Sequence, residues 1–279
     1  MTPALRAILA DGRRRHFQHG PIDLIVEAFG APDRVAAAYD TAWTRFRTIL
    51  AELVDELAVL RAPLGATTLR GVVARRMRAA CAPHRAVFVT PMAAVAGAVA
   101  DEVLAAMTAA APLDRAYVNN GGDIAIHLAS GESFRTGIVT LGETPALDGF
   151  ATIAPGIGGI ATSGWRGRSF SLGIADSVTV LARSAAEADV AATLIANAVD
   201  LDDPSVRRQP ANQLAPDSDL GARSVTVAVG PLPPGKIDAA LARGLDRARG
   251  MARRGLIVDA CLTLQGETRV LGGRLVSAA

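Results

Sequence analysis

Short apolar runs separated by glycine-rich turns fill residues 115–182, and no other feature of this sequence constrains the fold as strongly. Runs of this kind, bounded by Gly, Asn, Asp and Ser, are typical of β-strands joined by tight turns. Amphipathic helical patterns lie on both sides, at 33–60, 67–80, 91–110, 185–199 and 237–254. Because the strands follow one another without intervening helices, we expect an α+β fold of mostly antiparallel sheets flanked by helices.

The chain has 279 residues, of which 50% are hydrophobic, enough for a packed core. We expect a single domain over residues 1–279, with two subdomains as the alternative. Residues 200–222 are rich in Asp and Pro and lack apolar periodicity, which predicts a long loop.

Charge and hydropathy exclude several classes of partner. The net charge is only +2 and aromatic residues make up 4%, so we expect no nucleic-acid partner. No apolar run reaches about 18 residues without a charge or a turn signal, which predicts no membrane span. The N-terminus lacks a signal-peptide core, so the cytoplasm is the expected compartment. A homo-oligomer is compatible with the sequence.

The segment Asn119-Asn120-Gly121-Gly122-Asp123 lies between two predicted strands. Paired glycines allow positive φ angles, and successive exposed N–H groups form a nest that binds anions. Asn and Gly are also the usual residues of a β-hairpin turn. The sequence alone leaves these two interpretations open.

A second glycine-rich segment, 156–164, ends in Thr162-Ser163-Gly164. It suits either a phosphate-cradling turn or a flexible loop, and it lacks the Gly-Lys-Ser/Thr signature of a P-loop.

The segment from Ser184 to Thr193 predicts a helix start and a candidate cation site. Ser184 and Glu187 form a capping box. Asp189 and Thr193 are four residues apart and therefore share one helix face. Carboxylate and hydroxyl oxygens suit Mg²⁺, whereas a solvent-facing polar stripe is the alternative.

Small residues around Gly97, preceded by Met92, allow a ligand or another backbone to approach closely, although a buried helix has the same composition. Gly97 either permits close packing or marks a tight loop before the helix. Among the histidines, His19 is the candidate for a catalytic role because it precedes the turn residues Gly20-Pro21.

Five motifs in order resemble the ApbE-like flavin transferases, a T-fold-related superfamily. They are Gly97–Asp101, Gly121–Asp123, Thr162–Gly164, Val178–Val180 and Ala188-Asp189…Thr193. The resemblance covers about residues 85–200, and residues 10–30 and 67–97 look like an uncharacterised branch of the superfamily.

Members of this superfamily transfer the FMN part of FAD to Thr or Ser of a target protein and use Mg²⁺. The resemblance implies that Asp189 and Thr193 match the metal ligands. It also implies that FAD or a related nucleotide is the small-molecule ligand. The resemblance implies that Gly121, Gly122, Thr162, Ser163 and Gly164 line the site of this ligand. The further candidates for binding it, from the residues themselves, are Asn119, Asn120, Asp123, Met92 and Gly97.

One family segment, His-x-x-Asp-Pro-x-Thr-Gly, is replaced here by residues 169–177, which contain no His, Pro or Thr-Gly. Asp176 is the remaining acidic candidate for a catalytic role there. Two functions therefore stay open: an FMN transferase-type enzyme, and a non-catalytic binding or accessory protein for cofactor biosynthesis or C1 (pterin) metabolism.

Overall fold

The computed structural model describes residues 2–140 and 146–277, with side chains described outside 138–150 and 276–277. Two compact units make up the chain. The first unit comprises Met1–Ser133, Ala154–Ile160 and Arg183–Asp189; the second comprises Phe134–Ile153, Ala161–Ala182 and Val190–Ala279.

An antiparallel sheet forms one layer of the first unit. Its strands are β1 (Leu5–Ile8), β2 (Arg15–His19), β3 (Ile22–Phe29), β4 (Arg115–Asn120) and β5 (Asp123–Leu128), adjacent in that order. The next strand in the sheet, β8 (Gly159–Ser163), begins in this unit and pairs with β5 through Ile160 opposite Ile124. Leu24, Val26 and Val118 alternate inward along β3 and β4 and are fully buried. This face of the sheet therefore carries the core.

Helices form the second layer of the first unit. They are α1 (Pro32–Asp55), α2 (Leu57–Leu60), α3 (Val72–Cys81), α4 (Val95–Ala110) and the first residues of α5 (Ala185–Ala198), with 3₁₀ turns at Ala82–His84 and Pro91–Ala94. α1 buries Ala42, Phe46 and Ile49 at helical spacing, as its sequence periodicity predicted. Residues 86–90 are irregular, although a short apolar run of this kind is also typical of a buried strand.

The second unit contains the remaining sheets. β9 (Ser177–Ala182), β12 (Asp259–Leu264) and β13 (Glu267–Val270) continue from the end of β8. A separate sheet has the order β14 (Leu275–Ser277), β7 (Ala146–Ile153) and β6 (Phe134–Thr140), and β10 (Val206–Pro210) pairs with β11 (Ser224–Val229). The helices of this unit are the rest of α5, α6 (Ala211–Leu214) and α7 (Pro234–Arg253). The predicted α+β fold of mostly antiparallel sheets is confirmed.

Residues 200–222 do not form one long loop, so that prediction was wrong. They contain β10 and α6, and β10 is antiparallel to β11 with a register shift between Arg207 and Arg208. The half-buried, polar β10 sequence carries no apolar alternation, so the pairing with β11 left no signal in the sequence.

The segment Pro91–Ala110 is long and apolar enough to cross a bilayer by length and composition, and within the described part of the chain it alone passes that test. Because 56% of its most apolar window is buried inside the structure, packing in the core accounts for the same composition.

Candidate functional site

The Asn119–Asp123 segment forms a two-residue hairpin turn between β4 and β5. Asn120 pairs with Asp123, and Gly121 and Gly122 have φ angles of 66° and 112°. The Gly122 N–H donates to Asn119 Oδ1 at 2.8 Å, so this N–H is already satisfied within the turn. Space is open around Gly122, because no atom of the described part of the chain lies within 4 Å of a Cβ built there. The hairpin interpretation thus describes the backbone, and the anion nest stays a prediction.

Asn120 connects this turn to the start of α4. Its side chain is 7% exposed, and its Nδ2 donates to the Ala96 carbonyl oxygen at 3.1 Å. Antiparallel partners share a sheet face, so Asn120 and Asp123 both face α4. α4 packs on β4 and β5, which brings its first turn to the polar end of the hairpin.

Asp189 on α5 lies beside the same helix start. Its Oδ2 accepts a hydrogen bond from the Gly97 N–H at 3.0 Å. Burial, and then repulsion by the Asp123 carboxylate, raises the pKa of Asp189 well above the usual value. Asp123 is therefore close enough for its carboxylate to oppose ionisation of Asp189.

Asp101 on α4 makes the converse contact with α5. Its two carboxylate oxygens accept hydrogen bonds from the N–H groups of Ala185 and Ala186, each at 2.9 Å. Burial raises the pKa of Asp101 too. A Cβ on Gly97 would lie 2.2 Å from the Ala185 carbonyl oxygen. Gly97 is inside α4, so the close-packing explanation for this glycine is correct.

The capping box at the start of α5 is present in part. Ser184 Oγ accepts a hydrogen bond from the Glu187 N–H at 3.2 Å, as the sequence predicted. Thr193 is half-buried one turn beyond Asp189 on the same helix. Among the described residues, no group of three or more His, Cys, Asp or Glu side chains is close enough together to hold a metal ion, so the pairing of Asp189 with Thr193 as metal ligands stays a prediction.

The other two candidates in the first unit are His19 and Met92. His19 is 7% exposed at the end of β2, and its ring lies 6.3 Å from that of Phe46. Its Nδ1 is buried, and no described residue forms a hydrogen bond with it. Met92 is half-buried in the 3₁₀ turn before α4.

In the second unit, Thr162 and Ser163 end β8, and Gly164 begins a turn. Thr162 Oγ1 and Thr179 Oγ1 are hydrogen-bonded at 2.9 Å. A Cβ on Gly164 would lie 2.4 Å from the Asp176 carbonyl oxygen, which explains the glycine by close backbone approach. The motif is therefore ordered secondary structure and not a flexible loop.

Asp176 is the centre of a hydrogen-bonded cluster that the sequence did not reveal. Its Oδ1 accepts from Trp165 Nε1 at 3.1 Å and from Arg166 Nε at 2.7 Å. Its Oδ2 accepts from the Gln265 N–H at 2.5 Å. Each of its oxygens thus holds at least one donor, which fits a carboxylate that positions its neighbours.

Comparison with known proteins decides the family. The family described as AbpE bacteria matches residues 6–270, nearly the whole chain. This protein belongs to the AbpE family. The motif order on which the resemblance rested is thereby supported over a longer stretch than residues 85–200.

Relatives of this AbpE protein include two archaeal UPF0280 proteins. The one from Methanopyrus kandleri is 36% identical over 163 residues, covering 57% of this chain and 64% of the relative. The one from Methanothrix thermoacetophila is 46% identical over 114 residues, covering 40% and 46%. The chain thus spans about half to two thirds of the length of these relatives.

Among solved structures, the ApbE protein of Thermotoga maritima is similar with a TM-score of 0.55 and 13% identity, covering 95% of this chain and 96% of that one. At this identity the similarity establishes the fold alone. The Pseudomonas stutzeri flavinyl transferase ApbE has a TM-score of 0.48 and 13% identity, covering 98% and 93%.

Proposed function

We propose that this protein binds a flavin nucleotide, FAD or a related one, together with Mg²⁺. The observation that carries the proposal is the buried Asp189 carboxylate beside Asp123. Within the described part of the chain, no Lys, Arg or His forms an ion pair with Asp189. A desolvated carboxylate next to a second one is costly unless a cation or a proton compensates it.

The donor set fits a hard divalent cation. Asp189 and Asp123 supply carboxylate oxygens, and the hydroxyl of Thr193 lies one helical turn from Asp189. Mg²⁺ prefers such oxygen ligands and keeps several waters, so a site with few protein ligands suits it. A bound Mg²⁺ would neutralise charge on the phosphates of the nucleotide.

The residues proposed to contact the nucleotide are those of the turn Asn119–Gly122, those of Thr162–Gly164, and Met92 and Gly97. The resemblance to flavin transferases and the AbpE family membership support this assignment. The open space around Gly122 supports it too, because a ligand can approach the backbone there. The cytoplasm stays the predicted compartment.

FMN transferase-type activity is the narrower proposal, and binding without transfer is the alternative. The contacts of Asp176 favour the alternative. Its Oδ1 accepts hydrogen bonds from Trp165 and Arg166 and its Oδ2 accepts one from the Gln265 N–H, so both oxygens are already engaged by groups of the protein. The family's histidine segment is also missing.

Calorimetric titration with FAD and FMN, in Mg²⁺ and in EDTA, tests the binding proposal. We expect Mg²⁺ to strengthen nucleotide binding in the wild type and to have no effect in Asp189→Asn. Asp246→Asn is the matched control, because the Asp246 side chain is 73% exposed on α7. Absence of flavin binding, or an unchanged Mg²⁺ effect in Asp189→Asn, would refute the proposal.

Incubation with FAD, Mg²⁺ and a Thr-containing acceptor peptide separates the two narrower functions. Covalent FMN on the peptide, detected by mass spectrometry, would establish transfer. Binding without any labelled peptide would support the non-catalytic alternative.

A further inference from the structure

The turn Gly164-Trp165-Arg166-Gly167 follows Thr162 and Ser163 directly and is held in a defined conformation. The Gly167 N–H donates to the Gly164 carbonyl at 3.1 Å, and the Trp165 N–H donates to the Ala175 carbonyl at 3.0 Å. The close approach of Gly164 to the Asp176 backbone fixes the same turn from the other side. The two side chains at its tip, Trp165 and Arg166, are therefore presented by a rigid backbone.

Two contacts orient the guanidinium group of Arg166. Its Nε donates to Asp176 Oδ1 at 2.7 Å, and its Cζ lies 4.7 Å from the centroid of the Trp165 ring. Trp165 is itself fixed by the bond from its Nε1 to the same oxygen. The Asp176 side chain is 10% exposed, so the ion pair is shielded from solvent on one side. Much of the rotamer entropy that a surface arginine loses on binding a ligand is already lost here.

The terminal nitrogens of Arg166 remain available. No described residue accepts a hydrogen bond from Nη1 or Nη2, and the Arg166 side chain is 38% exposed. A guanidinium bound through Nε presents its two terminal NH₂ groups as a fork, the geometry that matches two oxygens of a phosphate or a carboxylate. Packing against an indole restricts the fork to one plane.

We infer that Arg166 is an oxyanion-binding residue whose guanidinium contacts a phosphate group of the ligand. Asp176 is its positioning residue and acts on the phosphate only through Arg166. This assignment rests on the proposed function for the identity of the ligand as a nucleotide. The anion-binding part can be tested without a flavin. The role assigned to Asp176 replaces the catalytic role that its place in the sequence suggested.

The test is titration with inorganic pyrophosphate and, separately, with FMN, both in EDTA at low ionic strength. We expect Arg166→Gln to weaken binding of each by about tenfold, since a hydrogen bond to a charged group contributes on this scale. Arg168→Gln is the matched control, because Arg168 is an exposed arginine two residues further along the same loop. We expect it to bind both probes like the wild type.

Two further variants separate positioning from loss of charge or of folding. Arg166→Lys keeps the charge, so at low salt it should recover only part of the affinity that Arg166→Gln loses. Asp176→Asn should weaken pyrophosphate binding although Arg166 is present. Circular dichroism and a thermal melt confirm that each variant is folded.

Because the chain has two tryptophans, Trp43→Phe leaves Trp165 as the one indole fluorophore, and FMN binding should quench its emission.

These titrations distinguish failure of the Arg166 inference from failure of the proposed function. Pyrophosphate binding that depends on Arg166, without flavin binding in EDTA or in Mg²⁺, supports the inference and refutes the proposed flavin ligand. Flavin binding that is equal in Arg166→Gln and Arg168→Gln refutes the inference and leaves the proposed function intact. If the wild type binds neither probe in EDTA, the inference is refuted, and the flavin titration in Mg²⁺ decides the proposed function.

Discussion

Asp189 on α5 accepts a hydrogen bond from the backbone N–H of Gly97 in the first turn of α4, at 3.0 Å. The contact has a counterpart, because Asp101 on α4 accepts from Ala185 and Ala186 in the first turn of α5. Each helix thus supplies an aspartate that caps the start of the other helix. Asp101 lies four residues after Gly97 on α4, and Asp189 lies four residues after Ala185 on α5. The first N–H groups of a helix lack internal partners and attract negative charge, so this exchange stabilises both helix starts.

The close contact between these helices predicts that Gly97→Ala destabilises the protein. The new Cβ would lie 2.2 Å from the Ala185 carbonyl oxygen and 2.4 Å from its carbon, which forces the two helices apart. We expect the free energy of unfolding to fall by about 1–3 kcal/mol, as for other overpacked sites. Urea denaturation measures it.

Gly235→Ala is the control for that substitution, because Gly235 is also helical, in α7, and no atom of a described residue lies within 4 Å of a Cβ built there. Alanine there should leave stability unchanged or raise it slightly. Equal effects of the two substitutions would show that the contact at Gly97 does not limit the packing of α4.

The raised pKa of Asp101 predicts how stability depends on pH. In the folded state this carboxyl holds its proton above the ordinary value of 3.8, mainly because it is buried. The stabilisation that comes from this tighter binding of the proton in the folded state is fully present below about pH 3.8. It is lost as pH rises through the folded-state pKa of Asp101. Arg76 lowers the pKa and Glu187 raises it, but burial dominates.

Asp101→Asn replaces the titrating carboxyl with an amide and so removes its contribution to the pH dependence of stability. The variant should be less stable than the wild type, because an amide can accept from only one of the two N–H groups. The difference in the free energy of unfolding should narrow as pH rises from 4 to 7. Chemical denaturation at four pH values measures the difference, and a gap independent of pH would contradict the prediction.

The sequence was informative about this region to different degrees. The Gly-Gly turn, the α5 start at Ser184 and the position of Asp189 beside small residues follow from local patterns, because turns and caps are encoded by neighbouring residues. The reciprocal capping was not predicted. It depends on the packing of α4 against α5, although the equal spacing of Gly97–Asp101 and Ala185–Asp189 was present in the sequence.

The cluster around Asp176 shows why other parts could not be predicted. Its partners come from a turn ten to eleven residues earlier and from Gln265, 89 residues later. Register between β9 and β12 sets these contacts, with Thr263 opposite Ser177. A single sequence carries no signal for that register beyond apolar alternation.

If Asp189 and Asp123 hold a divalent cation, Mg²⁺ should raise the melting temperature of the wild type. Binding to the folded state stabilises it by about 2.7 kcal/mol when the free cation is at 100 times its Kd. Asp189→Asn should melt at the same temperature with and without Mg²⁺. A scanning fluorimetry series in MgCl₂, with NaCl at matched ionic strength as the control, measures the shift. Equal shifts in both proteins would mean that Mg²⁺ binds elsewhere.

Outside the candidate site, we expect the substitution Asp259→Ala to destabilise the protein strongly. The side chain is buried, and its oxygens accept from four backbone N–H groups, those of Ala260, Gly272, Arg274 and Leu275, at 2.7–3.1 Å. Asp259→Ala would leave these donors without their acceptor, and we expect a loss of about 3 kcal/mol or more. Hydrogen exchange should accelerate at residues 272–275, the segment before β14 pairs with β7. Asp238→Ala, at an exposed position on α7, should leave exchange in this segment unchanged, and protection that persists in Asp259→Ala would mean that the β14 pairing holds the segment without the carboxylate.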